Sequence, residues 1–305
     1  MKELVQNFVD RAIKENLPIE AICLSDKDGL LYLHEFVKRP YRNIFSHTKS
    51  FTSTLVGIAI GENKLSLDIN LGDTFKDLIE TKEQYEAMKK ITLQHLLNMQ
   101  SGLEGTQLFE NERRKGVGFP DYVKFYVNQK VKYEPGTHFQ YNNGDTYMCG
   151  VLLERAVGMT MERYAYEKLF RPLDMPYPVW EHDPFGHTFG ASGLYLNIVE
   201  MNKLGRLYLN NGCWNGKQIV PLEWVKKVSK PEVTFENDNF SKGYSNQFWH
   251  NHYNGTYRAD GAYGQITFIF SKDNLTLSIQ RPEDDNLGTV LKAIQEEILD
   301  KYFKK

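Results

Sequence analysis

The chain has 305 residues, 41% of them hydrophobic and 25% charged, and 37 Lys and Arg against 39 Asp and Glu leave a formal net charge of -2. That composition is globular and, at roughly 100–200 residues per domain, fits one or two domains. A balance this close to neutral carries no footprint for nucleic acid or an anionic membrane surface, so neither is expected as a partner.

Leu4, Val5, Phe8, Val9, Ala12 and Ile13 recur at helical spacing and predict an opening amphipathic helix. The runs I-E-A-I-C-L-S and L-L-Y-L-H-E-F flank Asp28-Gly29 and predict a β-hairpin. Residues 47–60 read as a helix stopped by Gly61. Thr92 caps a short helix that Gly102 ends, 145–157 is a third helix stopped by Gly158, and a fourth runs from Thr160 to Pro172. At the far end, G-Q-I-T-F-I-F and L-T-L-S-I-Q flank a turn at Lys272-Asp273-Asn274, and Leu287, Val290, Leu291, Ile294 and Ile298 mark a closing helix. The pattern predicts an α/β part from 1–45 and 190–305, built on one antiparallel sheet flanked by the terminal helices. A mainly helical part, 46–189, is inserted into it, with a cleft between the two.

The sharpest chemical feature is Ser46-His47-Thr48-Lys49 at the start of the 47–60 helix. A spacing of three puts the serine and the lysine on one helix face, about 5–6 Å apart at Cβ. The helix N-terminus favours the negative charge that develops when a serine attacks an acyl carbon. Desolvation lowers the pKa of a lysine held there and lets it act on the seryl proton. The motif alone is more often a capping serine and a solvated lysine. Its context is Tyr141-Asn142-Asn143 after the turn Glu134-Pro135-Gly136, and a glycine-rich strand entry, Gly261-Ala262-Tyr263-Gly264-Gln265.

In chain order, the blocks F-S-H-T-K-S-F-T-S-T-L-V-G-I-A-I-G, I-T-L-Q-H-L-L-N-M-Q-S-G-L, E-P-G-T-H-F-Q-Y-N-N-G-D, A-S-G-L-Y-L-N and G-A-Y-G-Q resemble the serine β-lactamase and penicillin-binding-protein superfamily. The resemblance is to its class C-like branch of esterases, amidases and D-amino-acid peptidases. It implies the β-lactamase-like fold, Ser46 as acylated nucleophile, Lys49 as its partner, Tyr141 as the base that takes the seryl proton and returns it to the leaving group, and Asn143 as a substrate-orienting amide. It also implies an oxyanion hole from the backbone N–H groups of Ser46 and Gln265, with Gly264 as the glycine that lets the strand approach the acyl group. The expected activity is hydrolysis of a small-molecule ester or amide through an acyl-enzyme, with no metal and no organic cofactor. The alternative is a non-catalytic or slowly acylated penicillin-binding or sensor module. Where antibiotic-directed relatives carry Lys-Thr-Gly or His-x-Gly, this chain reads Ala262-Tyr263-Gly264. The cation is missing there, which leaves Lys49 as the sole cation for Tyr141 and predicts esters as better substrates than penicillins.

Other residues take blander readings. Cys23, Cys149 and Cys213 are odd in number and lack C-x-x-C spacing, so structural thiols in a reducing compartment are expected. The first residues have no signal-peptide core, and no run approaches the ~18–20 apolar residues of a membrane span, so a cytoplasmic location is expected. His250 and His252 have no acidic or cysteine ligand patterned near them, and His47 points away from Ser46 as a packing or solvent-edge residue. The aromatics Tyr244, Phe248, Trp249, Tyr253 and Tyr257 are expected mainly to pack, with a share of them, Trp249 and Tyr257 first, walling a pocket.

Overall fold

The computed structural model describes residues 1–305 except 39, 110–112, 114–120, 237, 239 and 305. The Asp28-Gly29 turn joins strands Ala21–Asp26 and Leu30–Glu35, and the 272–274 turn joins Gln265–Phe270 to Leu275–Gln280. These pairs meet across the whole length of the chain. In the eight-stranded antiparallel sheet, Leu30–Glu35 and Ala21–Asp26 lie beside Leu275–Gln280, followed by Gln265–Phe270, Thr256–Gly261 and three short strands between 233 and 250.

Strand alternation decides what covers each face. Ile22, Leu24, Ile266, Phe268, Leu277 and Ile279 face one way, against Val5, Phe8 and Val9 of the opening helix, Lys2–Glu15, and Val290, Ile294 and Ile298 of the closing helical segment. The opposite face carries Thr267, Thr276 and Ser278, small enough for the Ile198–Leu209 helix to lie close. Asn202 of that helix donates to Ser278 Oγ at 3.1 Å, and a Cβ on Gly205 would stand 2.0 Å from Thr276 Oγ1. A second, larger core joins the helical region to this side of the sheet, around Phe51, Leu55, Val56, Tyr147 and Leu152.

The helices fall near their predicted places. Residues 45–47 form a 3₁₀ turn that leads into Thr48–Gly61, the short helix is Leu93–Leu97, and the third is Asn143–Val157. The short helix stops at Asn98, four residues before the predicted Gly102. The third starts two residues earlier than predicted, because the Asn142 side chain caps it by accepting from Gly144 N–H at 2.8 Å. Among the described residues no helix is long and apolar enough to cross a membrane.

Candidate active site

Asn43 begins the construction of the site. Its Oδ1 accepts from the Phe45 N–H at 2.8 Å and the Gly193 N–H at 3.2 Å, which folds residues 43–45 into a tight turn. Phe45 is thereby held at φ 47°, a left-handed conformation that costs a non-glycine residue free energy and here presents the following Ser46 at the mouth of the helix. Behind it every residue from Thr48 to Ala59 is buried. Gly57 gives the indole of Trp224 room to lie against this helix, since a Cβ there would be 2.3 Å from the ring. The serine therefore sits on a rigid support.

Lys49 is 1% exposed, and its Nζ meets three oxygens: Ser46 Oγ at 3.0 Å, Asn143 Oδ1 at 2.7 Å and the Ala191 carbonyl at 2.7 Å. Burial, reinforced by the positive charge of Arg113, pushes its pKa well below the ordinary lysine value. Its nitrogen lies 5.0 Å from the centroid of the Tyr141 ring. The Tyr141 phenol is hydrogen-bonded to Ser46. Burial pushes its pKa up, the Ser46 bond opposes that rise, and the charge of Asp260 adds to it. Trp249 stacks on the Tyr141 ring at 5.5 Å between centroids and 26° between planes.

Ser46, Lys49, Tyr141 and Asn143 thus converge, although they come from sequence positions nearly a hundred residues apart. Ser46 and Asn143 line a cavity of about 430 Å³ together with Ala262, Tyr263, Arg113 and Glu181. Gly264 and Gln265 are not among the residues that line it. Gln265 is buried with its amide donating to the Arg281 carbonyl at 2.7 Å, and its own carbonyl lies 3.0 Å from His47 Nδ1. Gly264, at φ 88°, packs against Arg281 and Leu287. The glycine that brings the strand against the serine turn is Gly261, where a Cβ would stand 2.2 Å from the Ile44 carbonyl oxygen and 3.1 Å from the His47 nitrogen. The residue that follows it at the cavity is Ala262.

Arg113 corrects an expectation, that Lys49 is the sole cation of the site. The sequence held no signal for it, because its stretch carries no periodic pattern and its partner Glu181 lies 68 residues away. Ala191 was missed as well: its block A-S-G-L-Y-L was visible, but nothing in it reveals that a backbone carbonyl is the functional group. His47 is buried with its pKa lowered to about 4 by desolvation, and its ring bonds Gln265 rather than Ser46. His250 is buried and stacked on Tyr257, whereas His252 is exposed against the Asp238 carbonyl. Among the described residues no three His, Cys, Asp or Glu side chains cluster as metal ligands.

Comparison with known proteins identifies the family and the fold. Over 168 residues the chain is 23% identical to Protein flp of Staphylococcus aureus, covering 52% of this chain and 33% of that protein, so it spans about a third of the relative's length. A structure titled "Putative 6-aminohexanoate-dimer hydrolase" from Bacillus anthracis superposes with a TM-score of 0.78 at 23% identity, covering 96% of this chain and 82% of the other. A variant of simvastatin synthase (LovD) from Aspergillus terreus superposes at 0.73 with 16% identity, covering 100% and 99%. The family model described as Beta-lactamase matches residues 42–281, a span that contains Ser46, Lys49, Tyr141, Asn143 and Ala262. The chain belongs to the beta-lactamase family.

Proposed function

We propose that the protein is a serine hydrolase that cleaves a small ester or amide through an acyl-enzyme on Ser46. The observation that carries this reading is the environment of Lys49 Nζ. Two of its three neighbours, Asn143 Oδ1 and the Ala191 carbonyl, can only accept hydrogen bonds. Burial and the charge of Arg113 favour the neutral amine, whose two hydrogens these acceptors take, so that the lone pair is left for the Ser46 hydroxyl. Lys49 is then the base. This differs from the role that the resemblance gave Tyr141, whose raised pKa keeps the phenol protonated.

In the proposed cycle the Ser46 proton passes to Lys49 Nζ as Oγ bonds to the acyl carbon and the carbonyl π pair moves onto oxygen. The N–H groups of Ser46 and Ala262 hold that oxyanion. On collapse, the bond to the leaving group breaks. Tyr141 gives its hydroxyl proton to the departing oxygen or nitrogen and regains one from the Lys49 ammonium. Water attacks the ester of Ser46 with Lys49 again taking the proton, and Ser46 leaves protonated. Asn143 orients Lys49, and its Nδ2 donates to the Leu108 carbonyl at 3.3 Å, so the amide is fixed from both ends. The test is mass spectrometry of the protein quenched during turnover of short-chain aryl esters and anilides. An acyl adduct on Ser46 that forms and decays supports the reading. Turnover without any adduct, or with one elsewhere, overturns it.

A further inference from the structure

Arg113 lines the same cavity as Ser46. Its guanidinium lies 4.2 Å from the centroid of the Phe189 ring, its Nη1 donates to Glu181 Oε1, and its Nε is shielded from water without an acceptor. Five N–H donors thus face one acceptor among the described residues. Arg258, on the strand side of the site, is the contrast. Its Nε donates to Asp260 at 2.8 Å, its Nη2 to Ser241 at 3.0 Å and its Nη1 to Asn251, so all three nitrogens are spent inside the protein. Glu181, the partner of Arg113, is itself 41% exposed against 15% for the arginine. The cation is the fixed member of that pair, and the carboxylate is the one free to swing aside.

We propose that Arg113 recognises an anionic group on the substrate, so that the esters or amides this cavity takes bear a carboxylate. The inference rests on the acyl-enzyme reading and names the substrate class for that site. A planar guanidinium presents parallel N–H pairs that match a carboxylate. Stacking on Phe189 fixes the plane of that fork, and Tyr122, also at the cavity, sets a phenol beside it. The strand residues that line the cavity, Ala262 and Tyr263, carry no cation, and Arg258 and Arg281 do not line it. The anion is therefore held on the Arg113 and Glu181 wall.

The experiment compares kcat/KM for three aryl esters of equal chain length: a pentanoate, the monoester of glutaric acid, and an ω-aminopentanoate. The ratio of acid to neutral ester is the readout, because any effect of the arginine on Lys49 acts on both substrates and cancels. The expected result is a preference for the acid ester that falls about 10- to 100-fold in Arg113→Gln, the loss of one or two charge-assisted hydrogen bonds. In Glu181→Gln the preference rises, because the guanidinium is released. A ratio that Arg113→Gln leaves unchanged overturns the proposal, as does a preference for the amino ester that Glu181→Gln abolishes. Binding of glutarate and pentanoate monoanilides to Ser46→Ala protein reads the same selectivity without chemistry. Loss of acid preference there overturns this inference alone, whereas an intact preference with no turnover by the parent overturns the acyl-enzyme reading.

Discussion

Gly261 and Gly264 stand three residues apart, and the structure assigns them different work, so replacing each by alanine should separate rate from stability. Gly261 has φ -123° and ψ 153°, an extended conformation that alanine adopts freely, so its substitution acts through contact alone. The new Cβ would stand 2.2 Å from the backbone oxygen of Ile44 and 3.1 Å from the His47 nitrogen, on either side of Ser46 in sequence. Relief to an ordinary contact requires the strand and the serine turn to part by about 1 Å. Overpacking of that kind costs roughly 1–3 kcal/mol of stability. A displacement of about 1 Å between nucleophile and oxyanion donors costs on the order of 10²-fold in rate. Gly264 is at φ 88°, and an alanine there pays about 1–2 kcal/mol of left-handed strain. Its new Cβ meets side chains rather than backbone, Cδ of the buried Arg281 at 2.9 Å and a methyl of Leu287 at 3.0 Å, on the side away from the serine turn. Calorimetric melting and aryl-ester turnover per titrated Ser46 check both. Gly261→Ala should lose about 10²-fold in turnover per folded molecule, whereas Gly264→Ala should melt lower and react at nearly the parent rate. The reverse pattern would refute the assignment of Gly261 as the point of approach.

Lys49→Arg should abolish acylation, because a guanidinium keeps the charge but supplies no lone pair; a rate within tenfold of the parent would assign Lys49 a purely electrostatic role. Tyr141→Phe should lower kcat by about 10²–10⁴ for alkyl esters and anilides and less for activated aryl esters, whose leaving groups need no proton; equal losses across leaving groups would remove Tyr141 as the proton donor. Asp145 is buried, accepts from Tyr126 at 2.7 Å and Ser101 at 2.9 Å, and has its pKa raised by desolvation from 3.8 to about 7. Between those values the folded state holds a proton that the unfolded chain releases. Its contribution to stability is therefore full below pH 3.8 and lost as pH rises through about 7, by at most about 1.4 kcal/mol per pH unit. Denaturant melts of the parent should lose stability from pH 5 to pH 8 relative to Asp145→Asn, and parallel curves would contradict the assignment.

Local signals were the ones the sequence displayed. Asp28-Gly29 fixed a hairpin because the turn chemistry and the period-two runs lie within a dozen residues. Ser46 and Lys49 were visible because helix geometry alone brings positions three apart together. Tyr141 and Asn143 came through the order of several motifs rather than through spacing. What was hidden depends on contacts across long separations. Two glycines in G-A-Y-G are equally suited to a close approach, and only the packing of the strand against residues 44–47, more than two hundred positions away, selects Gly261. Arg113 is paired with Glu181 at one wall of the cavity across 68 positions of sequence, with no motif at either end. The three-stranded sheet that holds Asn43 is made of strands only two or three residues long, too short to show a period.

If Ser46 is the nucleophile and a neutral Lys49 its base, labelling with a fluorophosphonate across a pH series reads both at once. One adduct per chain should form, on Ser46 and absent from Ser46→Ala. Its rate should reach a plateau at a pH well below the ordinary lysine pKa of 10.5, because burial and the charge of Arg113 lower the pKa of the amine. An adduct on another residue, or a labelling rate that climbs without a plateau up to pH 10.5, would contradict the account.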